Sequence, residues 1–213
     1  MGSLRVFIHG IRDSGFRAGD NIVLEEKRLK WTEQIASALR FLHENGIMHT
    51  DTSTANTLIT DNLDIVICDF SSSILHGKGS ENVSRCTRRY RFFDEVWDGN
   101  WSSFGKGKER DARSYGVKDD IWGLGTVCYE MWCRKRLWEE FEERERVKLY
   151  WRGEWPSLEK AGDMGRVIRE CWVDGYESAG AVLEELKGVD DNESFGSSPS
   201  LHCAEDMVTN LPK

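Results

Sequence analysis

The chain has 213 residues, 39% hydrophobic and 11% aromatic, enough to bury one core of domain size. Its 37 acidic against 29 basic residues leave a net charge of −8, which excludes a general nucleic-acid binder. No apolar run reaches the ~20 residues of a membrane span, and MGSLRVFIHG lacks the apolar core of a signal peptide.

From Leu29 the pattern is helical: Trp31, Ile35, Leu39 and Leu42 recur at three- and four-residue steps, and Asn45-Gly46 is a stop signal. The stretch HTDTSTAN (49–56) follows. Thr57-Leu58-Ile59-Thr60, the turn former Asp61-Asn62-Leu63 and Asp64-Ile65-Val66-Ile67-Cys68 then predict a short β-hairpin. Residues 71–118 are rich in Ser, Gly, Arg and Lys without a lasting period and predict long loops. Around Asp120 the chain turns apolar nearly all round, through Ile121, Trp122, Leu124, Val127, Cys128, Tyr129, Met131 and Trp132. This predicts a helix buried at the centre of a domain. The Glu/Arg run 139–146 predicts a solvated helix face with i,i+4 pairs. Further helical patterns lie near Val167-Ile168 and across Ala179, Val182, Leu183 and Leu186, and 188–213 reads as a disordered tail. The six cysteines (Cys68, Cys86, Cys128, Cys133, Cys171, Cys203) are scattered with no CxxC pair or metal-site spacing. They predict reduced thiols and an intracellular, cytoplasmic or nuclear home.

The chemistry concentrates in His49-x-Asp51-x-x-x-x-Asn56, followed thirteen residues later by Asp69-Phe70. Taken alone, the loop also suits an ordinary capped turn, because Asp, Thr, Ser and Asn favour turns. The hairpin changes its meaning, since two antiparallel strands bring Asp69 back towards Asn56. A carboxylate and an amide oxygen can then share a hard cation, while Asp51 faces a hydroxyl as general base.

These residues resemble protein-kinase motifs: the catalytic loop H-R-D-L-x-x-x-N in 49–56 and D-F-G in Asp69-Phe70-Ser71. Lys118-Asp119-Asp120-Ile121-Trp122-Gly123-Leu124-Gly125 resembles the start of the kinase central helix, whose aspartate holds the catalytic-loop backbone. Thr87-Arg88-Arg89-Tyr90 resembles the T-x-x-Y of the substrate-facing loop, and Glu170-Cys171-Trp172 a helix near the end of the large lobe. The likeness is strongest to fungal protein-kinase-like domains, whose loops read D-x-S-x-x-N. It implies a mainly α fold, a kinase large lobe with short β-hairpins, over 1–187. It places an activation segment at 71–118 with an insertion, and a tail at 188–213. It also implies Asp51 as catalytic base, Asn56 and Asp69 as ligands of Mg2+, and Leu58 beneath the adenine of ATP. His49, Phe70 and Asp120 are implied as structural supports, with His49 and Phe70 expected in the packed interior. Thr87 is implied in the substrate loop.

Departures from the family pattern set further expectations. The glycine-rich loop and the V-A-I-K lysine are absent, and Gly2-Ser3-Leu4-Arg5 resembles the first helix of the large lobe. The expectation is a large lobe whose small β-rich N-lobe is missing. Thr50 stands where an arginine would clamp a phosphorylated activation segment, and Ser53 where a lysine would touch the transferred phosphate. Ser71 replaces a glycine and is expected to cost backbone freedom. Three functions compete. The first is a protein kinase acting on a protein Ser/Thr hydroxyl, weak or inactive over these 213 residues. The second is a pseudokinase-like module that binds a protein partner. The third is a small-molecule phosphotransferase, against which Asp120-Ile121-Trp122-Gly123 and Thr87-x-x-Tyr90 argue. All three expect no nucleic acid and no membrane.

Overall fold

The computed structural model describes residues 2–9, 19–75 and 115–190. In chain order these form β1 (Gly2–Ser3), α1 (Leu4–His9), α2 (Gly19–Glu44), β2 (Ile47–Met48), β3 (Thr57–Ile59), β4 (Ile65–Ile67) and β5 (Ile74–Leu75). They continue with α3 (Val117–Cys133), α4 (Glu143–Arg152), one 3-10 turn (Glu159–Ala161), α5 (Met164–Trp172) and α6 (Ala179–Asp190). Among the described residues the fold is mainly helical, with two small antiparallel sheets. None of the described helices is long and apolar enough to cross a membrane.

The α2 helix carries the predicted stripe, with Trp31, Ile35, Leu39 and Leu42 all buried. It begins at Gly19, ten residues before the periodic stretch that predicts it. It ends where Gly46 takes a left-handed φ of 71°, which glycine adopts without steric cost.

The α3 helix is the central post. Ile121, Trp122, Leu124, Val127, Cys128 and Met131 are buried around its circumference, as an all-round apolar helix requires. It packs against α2 on one side and α5 on another, while α2 packs against α6. The close approach to α5 depends on Gly125, where a Cβ would meet Cys171 Cβ at 2.5 Å. Burial pushes the Cys128 thiol up to about 12, and the described cysteines are all free thiols. A ladder of stacked rings, Trp138 on Trp155 at 5.6 Å and Trp155 on Trp172 at 5.1 Å, closes the far end of the core.

The hairpin forms as its sequence predicts. β3 and β4 pair antiparallel with Leu58 opposite Val66, and Leu63 takes a left-handed φ of 59° in the turn between them. Gln34 and Trp31 of α2 fasten this hairpin: Gln34 Oε1 accepts the Ile65 N–H at 2.9 Å, and Trp31 Nε1–H donates to Leu63 O at 2.9 Å. β1 adds to the other edge of β3 with Ser3 opposite Leu58. Separately, β2 pairs with β5, Ile47 opposite Leu75 and Met48 opposite Ile74.

Two boundary expectations need correction. The α6 helix runs to Asp190, past the predicted end at Lys187. In the Glu/Arg run only the residues from Glu143 onwards are helical. There Arg146 donates back to the carbonyls of Phe141 and Glu139, rather than forming an i,i+4 ion pair.

Candidate functional site

Loop 49–56 lies between β2 and β3, and burial alternates along it. Thr50, Thr52 and Thr54 are each buried at 1% exposure, whereas Asp51, Ser53 and Ala55 are half-buried. The hydroxyls of Thr50 and Thr52 are drawn inward to Ser72 O and Asp120, which leaves the Asp51 carboxylate on the outer side of the loop.

Two buried acids of α3 hold the inward side. Asp120, fully buried, accepts the His49 N–H at 2.8 Å on Oδ2 and the Thr50 N–H at 2.7 Å on Oδ1. It also takes His43 Nε2–H at 2.8 Å and, more weakly, the Thr52 hydroxyl at 3.4 Å. Ten residues along α3, Glu130 Oε2 accepts the Thr54 hydroxyl at 2.7 Å and His9 Nε2–H at 2.8 Å. Between them Gly123 lets α3 touch the loop, for a Cβ there would lie 2.6 Å from Thr52 O. The loop is thus clamped at both ends and pressed in the middle. Sequence reasoning passed over Glu130, Thr54, His43 and His9; a lone acid in an apolar helix is the one signal that could have marked Glu130.

His49 is buried and fixed in one tautomer. Its Nδ1 accepts the Asp51 N–H at 3.3 Å, so Nε2 carries the proton and donates to Cys68 O at 3.0 Å. The ring thereby ties the loop to the strand end that leads into Asp69.

On the outward side, Asn56 Nδ2 donates to Asp51 Oδ2 at 2.7 Å and to Asp51 O at 2.9 Å. This fixes the amide so that its oxygen points away from Asp51. Burial raises the Asp51 carboxyl above the ordinary aspartate range, and the negative charge of Asp69 adds to this. The Asn56 hydrogen bond and the His49 side chain pull the other way. Asp69 is exposed and sits at a left-handed φ of 63°. Its Oδ1 accepts the Ser71 hydroxyl at 2.6 Å and the Ser71 N–H at 3.3 Å, which together hold its carboxyl below the ordinary range. The hairpin joins these groups, since the Cys68 N–H donates to Asn56 O at 2.9 Å.

One expectation about this turn is overturned. Phe70 is not a core aromatic: its ring meets His49 edge-on at 5.1 Å but remains 47% exposed, because no described element covers its outer face. Ser71 bears no positive φ; the unusual backbone is at Asp69, two residues earlier, and Ser71 supplies the hydroxyl that holds it. Leu58, in the middle of β3, is half-buried beside the exposed Val66. Thr87 lies outside the described residues.

The donor set suits a hard cation. Asp69 Oδ2 and the amide oxygen of Asn56 are oxygen acceptors of the kind Mg2+ takes. Among the described residues no group of three or more His, Cys, Asp or Glu could hold a metal ion by itself. An ion held by these two residues would fill its remaining positions with other oxygen donors such as water.

Comparison with known proteins identifies the family. The family described as "Protein kinase domain" matches residues 12–170. Protein kinase kin1 of Schizosaccharomyces pombe is 32% identical over 168 residues, covering 76% of this chain and 17% of that protein. Aurora kinase B of Drosophila melanogaster is 31% identical over 106 residues, 50% of this chain and 28% of that protein. RGS domain-containing serine/threonine-protein kinase A of Dictyostelium discoideum is 26% identical over 148 residues, 68% of this chain and 12% of that protein. The chain thus spans less than a third of the length of each of these relatives. With the family matched across most of its length, the chain belongs to the protein kinase family.

Proposed function

We propose that loop 49–56 and the Asp69 turn form the phosphoryl-transfer face of a Ser/Thr protein kinase, over a domain that runs through α6 to Asp190 with an activation segment at 71–118. Asp51 accepts the proton of a protein Ser or Thr hydroxyl, and the carboxylate best placed for that is one turned outward on a clamped loop. Its raised pKa makes it a better proton acceptor once ionised. Asn56 and Asp69 would hold Mg2+, which when bound neutralises the phosphate oxygens of ATP. Leu58 supplies an apolar floor for the adenine, and Thr87 belongs to the segment facing the substrate.

The observation that carries this reading is the Asn56–Asp51 hydrogen bond of 2.7 Å, which turns the amide oxygen of Asn56 away from Asp51 and free for a cation. Ser53 stands where the family has a lysine on the transferred phosphate, so transfer by these 213 residues is proposed to be weak or absent. The test is a thermal-shift titration with ATP and Mg2+, paired with transfer to a Ser/Thr peptide. Stabilisation at millimolar nucleotide that Asp69→Ala removes is expected. Phosphorylation that persists in Asp51→Asn would overturn the role given to Asp51.

A second reading is favoured by the exposed rings and branches beside the site, Phe70 at 47% and Val66 at 40%. Such an apolar face suits a pseudokinase-like module that binds a protein partner. Absence of any nucleotide-dependent stabilisation would favour it.

A further inference from the structure

Thr50 is the one residue of loop 49–56 whose backbone is strained: it is β-branched, yet its φ is 67°. A branched side chain disfavours this region, so the conformation persists only where surrounding bonds over-determine it. Asparagine or glycine would turn the chain there at less cost. A reason for threonine must therefore lie in its hydroxyl, which is buried and donates to Ser72 O at 2.8 Å.

The register of β2 and β5 gives that bond its meaning. Ile47 faces Leu75 and Met48 faces Ile74, so the next positions along the same antiparallel register are His49 with Ser73 and Thr50 with Ser72. The regular backbone pairing stops after two residues, as Thr50 turns away. Side-chain hydroxyls then continue it: Ser73 Oγ–H donates to His49 O at 3.3 Å and Thr50 Oγ1–H to Ser72 O at 2.8 Å. Ser71, one residue further, holds the Asp69 carboxylate. A two-residue ladder is too short to hold itself, so these hydroxyl bonds decide whether the segment stays seated.

We infer that Thr50 is a positioning residue, whose hydroxyl latches residues 71–75 onto loop 49–56 and so seats the Asp69 carboxylate without any added phosphate. The latch is built from neutral groups of the chain itself. It rests on the reading of Asp69 as a metal-facing group, but its readout needs neither metal nor nucleotide.

The test is amide hydrogen exchange on the phosphatase-treated chain. Wild type should protect the amides of 72–75. Thr50→Val, which keeps the shape and loses the hydroxyl, should speed their exchange about five- to tenfold, the scale of one lost hydrogen bond, with α3 and α5 unchanged. Thr50→Ser should restore protection. Thr50→Gly relieves the backbone strain and still lacks the hydroxyl, so it should also speed exchange at 72–75; it decides the matter if Thr50→Val does not fold. Unprotected amides in wild type, unchanged exchange in the Val and Gly variants, or a uniform rise across the whole chain would each overturn the latch. Failure of Thr50→Ser to restore protection would do the same. A sound latch in a chain that no nucleotide stabilises would instead count against the kinase-site reading alone.

Discussion

The Oδ1 atom of Asp120 accepts the backbone N–H of Thr50 at 2.7 Å, across 70 residues of sequence and inside the core. The same carboxylate takes the His49 amide on its other oxygen, so one buried side chain of α3 sets the path by which the loop approaches Asp51. Asp120→Ala orphans two buried amides at roughly 1–3 kcal/mol each, and should destabilise the chain by about 2–6 kcal/mol in urea unfolding. Asp120→Asn keeps one acceptor oxygen and should lose about half as much.

Gly123 and Gly125 separate two effects of crowding. A Cβ at Gly123 strikes the backbone of the loop at Thr52 O, whereas one at Gly125 strikes Cys171 of α5. Each alanine substitution should cost about 1–3 kcal/mol by overpacking. Only Gly123→Ala should move the NMR shifts of residues 51–56. Gly188, in α6 with nothing within 4 Å of an added methyl, is the control: Gly188→Ala should stabilise by about 0.5–1 kcal/mol.

The Asp51 carboxyl is raised chiefly by burial, so the folded state holds its proton more tightly than the unfolded chain. Stability linked to this group is therefore fully present below the unfolded value of 3.8 and falls as pH rises through the higher folded one. At neutral pH the folded chain carries that cost, which Asp51→Asn removes while keeping an oxygen for Asn56. The variant should melt at or above the wild-type temperature at pH 7, with the gain vanishing below about pH 4. A gain that grows on acidification would contradict the assignment of the shift to burial. Under the proposed kinase reading, any transfer to a Ser/Thr peptide should run the opposite way, rising with pH as Asp51 ionises.

Glu130 is the second clamp, joining Thr54 to His9 of α1. Thr54→Val leaves the buried Glu130 oxygen with one partner fewer and should cost about 1–3 kcal/mol. A double-mutant cycle with Glu130→Gln should return a coupling of about 0.5–3 kcal/mol. Additive effects would mean that the two side chains do not act together.

Much of the scaffold was legible in the chain before folding was considered. The stripe Trp31, Ile35, Leu39, Leu42, the Asn45-Gly46 stop, the hairpin 57–68 and the all-round apolar α3 follow from periods of about 3.6 and about 2 and from turn chemistry. The site was legible as spacing: His49, Asp51, Asn56 and Asp69 stand out because polar residues at fixed intervals flank a predictable hairpin. These are local properties, written into neighbouring residues.

What folding alone decided is how that spacing becomes a surface. The inward turn of three threonines, the choice of Glu130 as a second clamp and the left-handed backbone at Thr50 depend on partners 68 or more residues away or on a neighbouring strand. The exposure of Phe70 reversed a sound local expectation, because burial belongs to what packs against a ring and not to the ring itself. The sequence by itself determined which elements form and which polar groups the chemistry has to hand. Tertiary packing determined where they point, since a carboxylate's direction is set by the long-range hydrogen bonds of its neighbours, which no local period encodes.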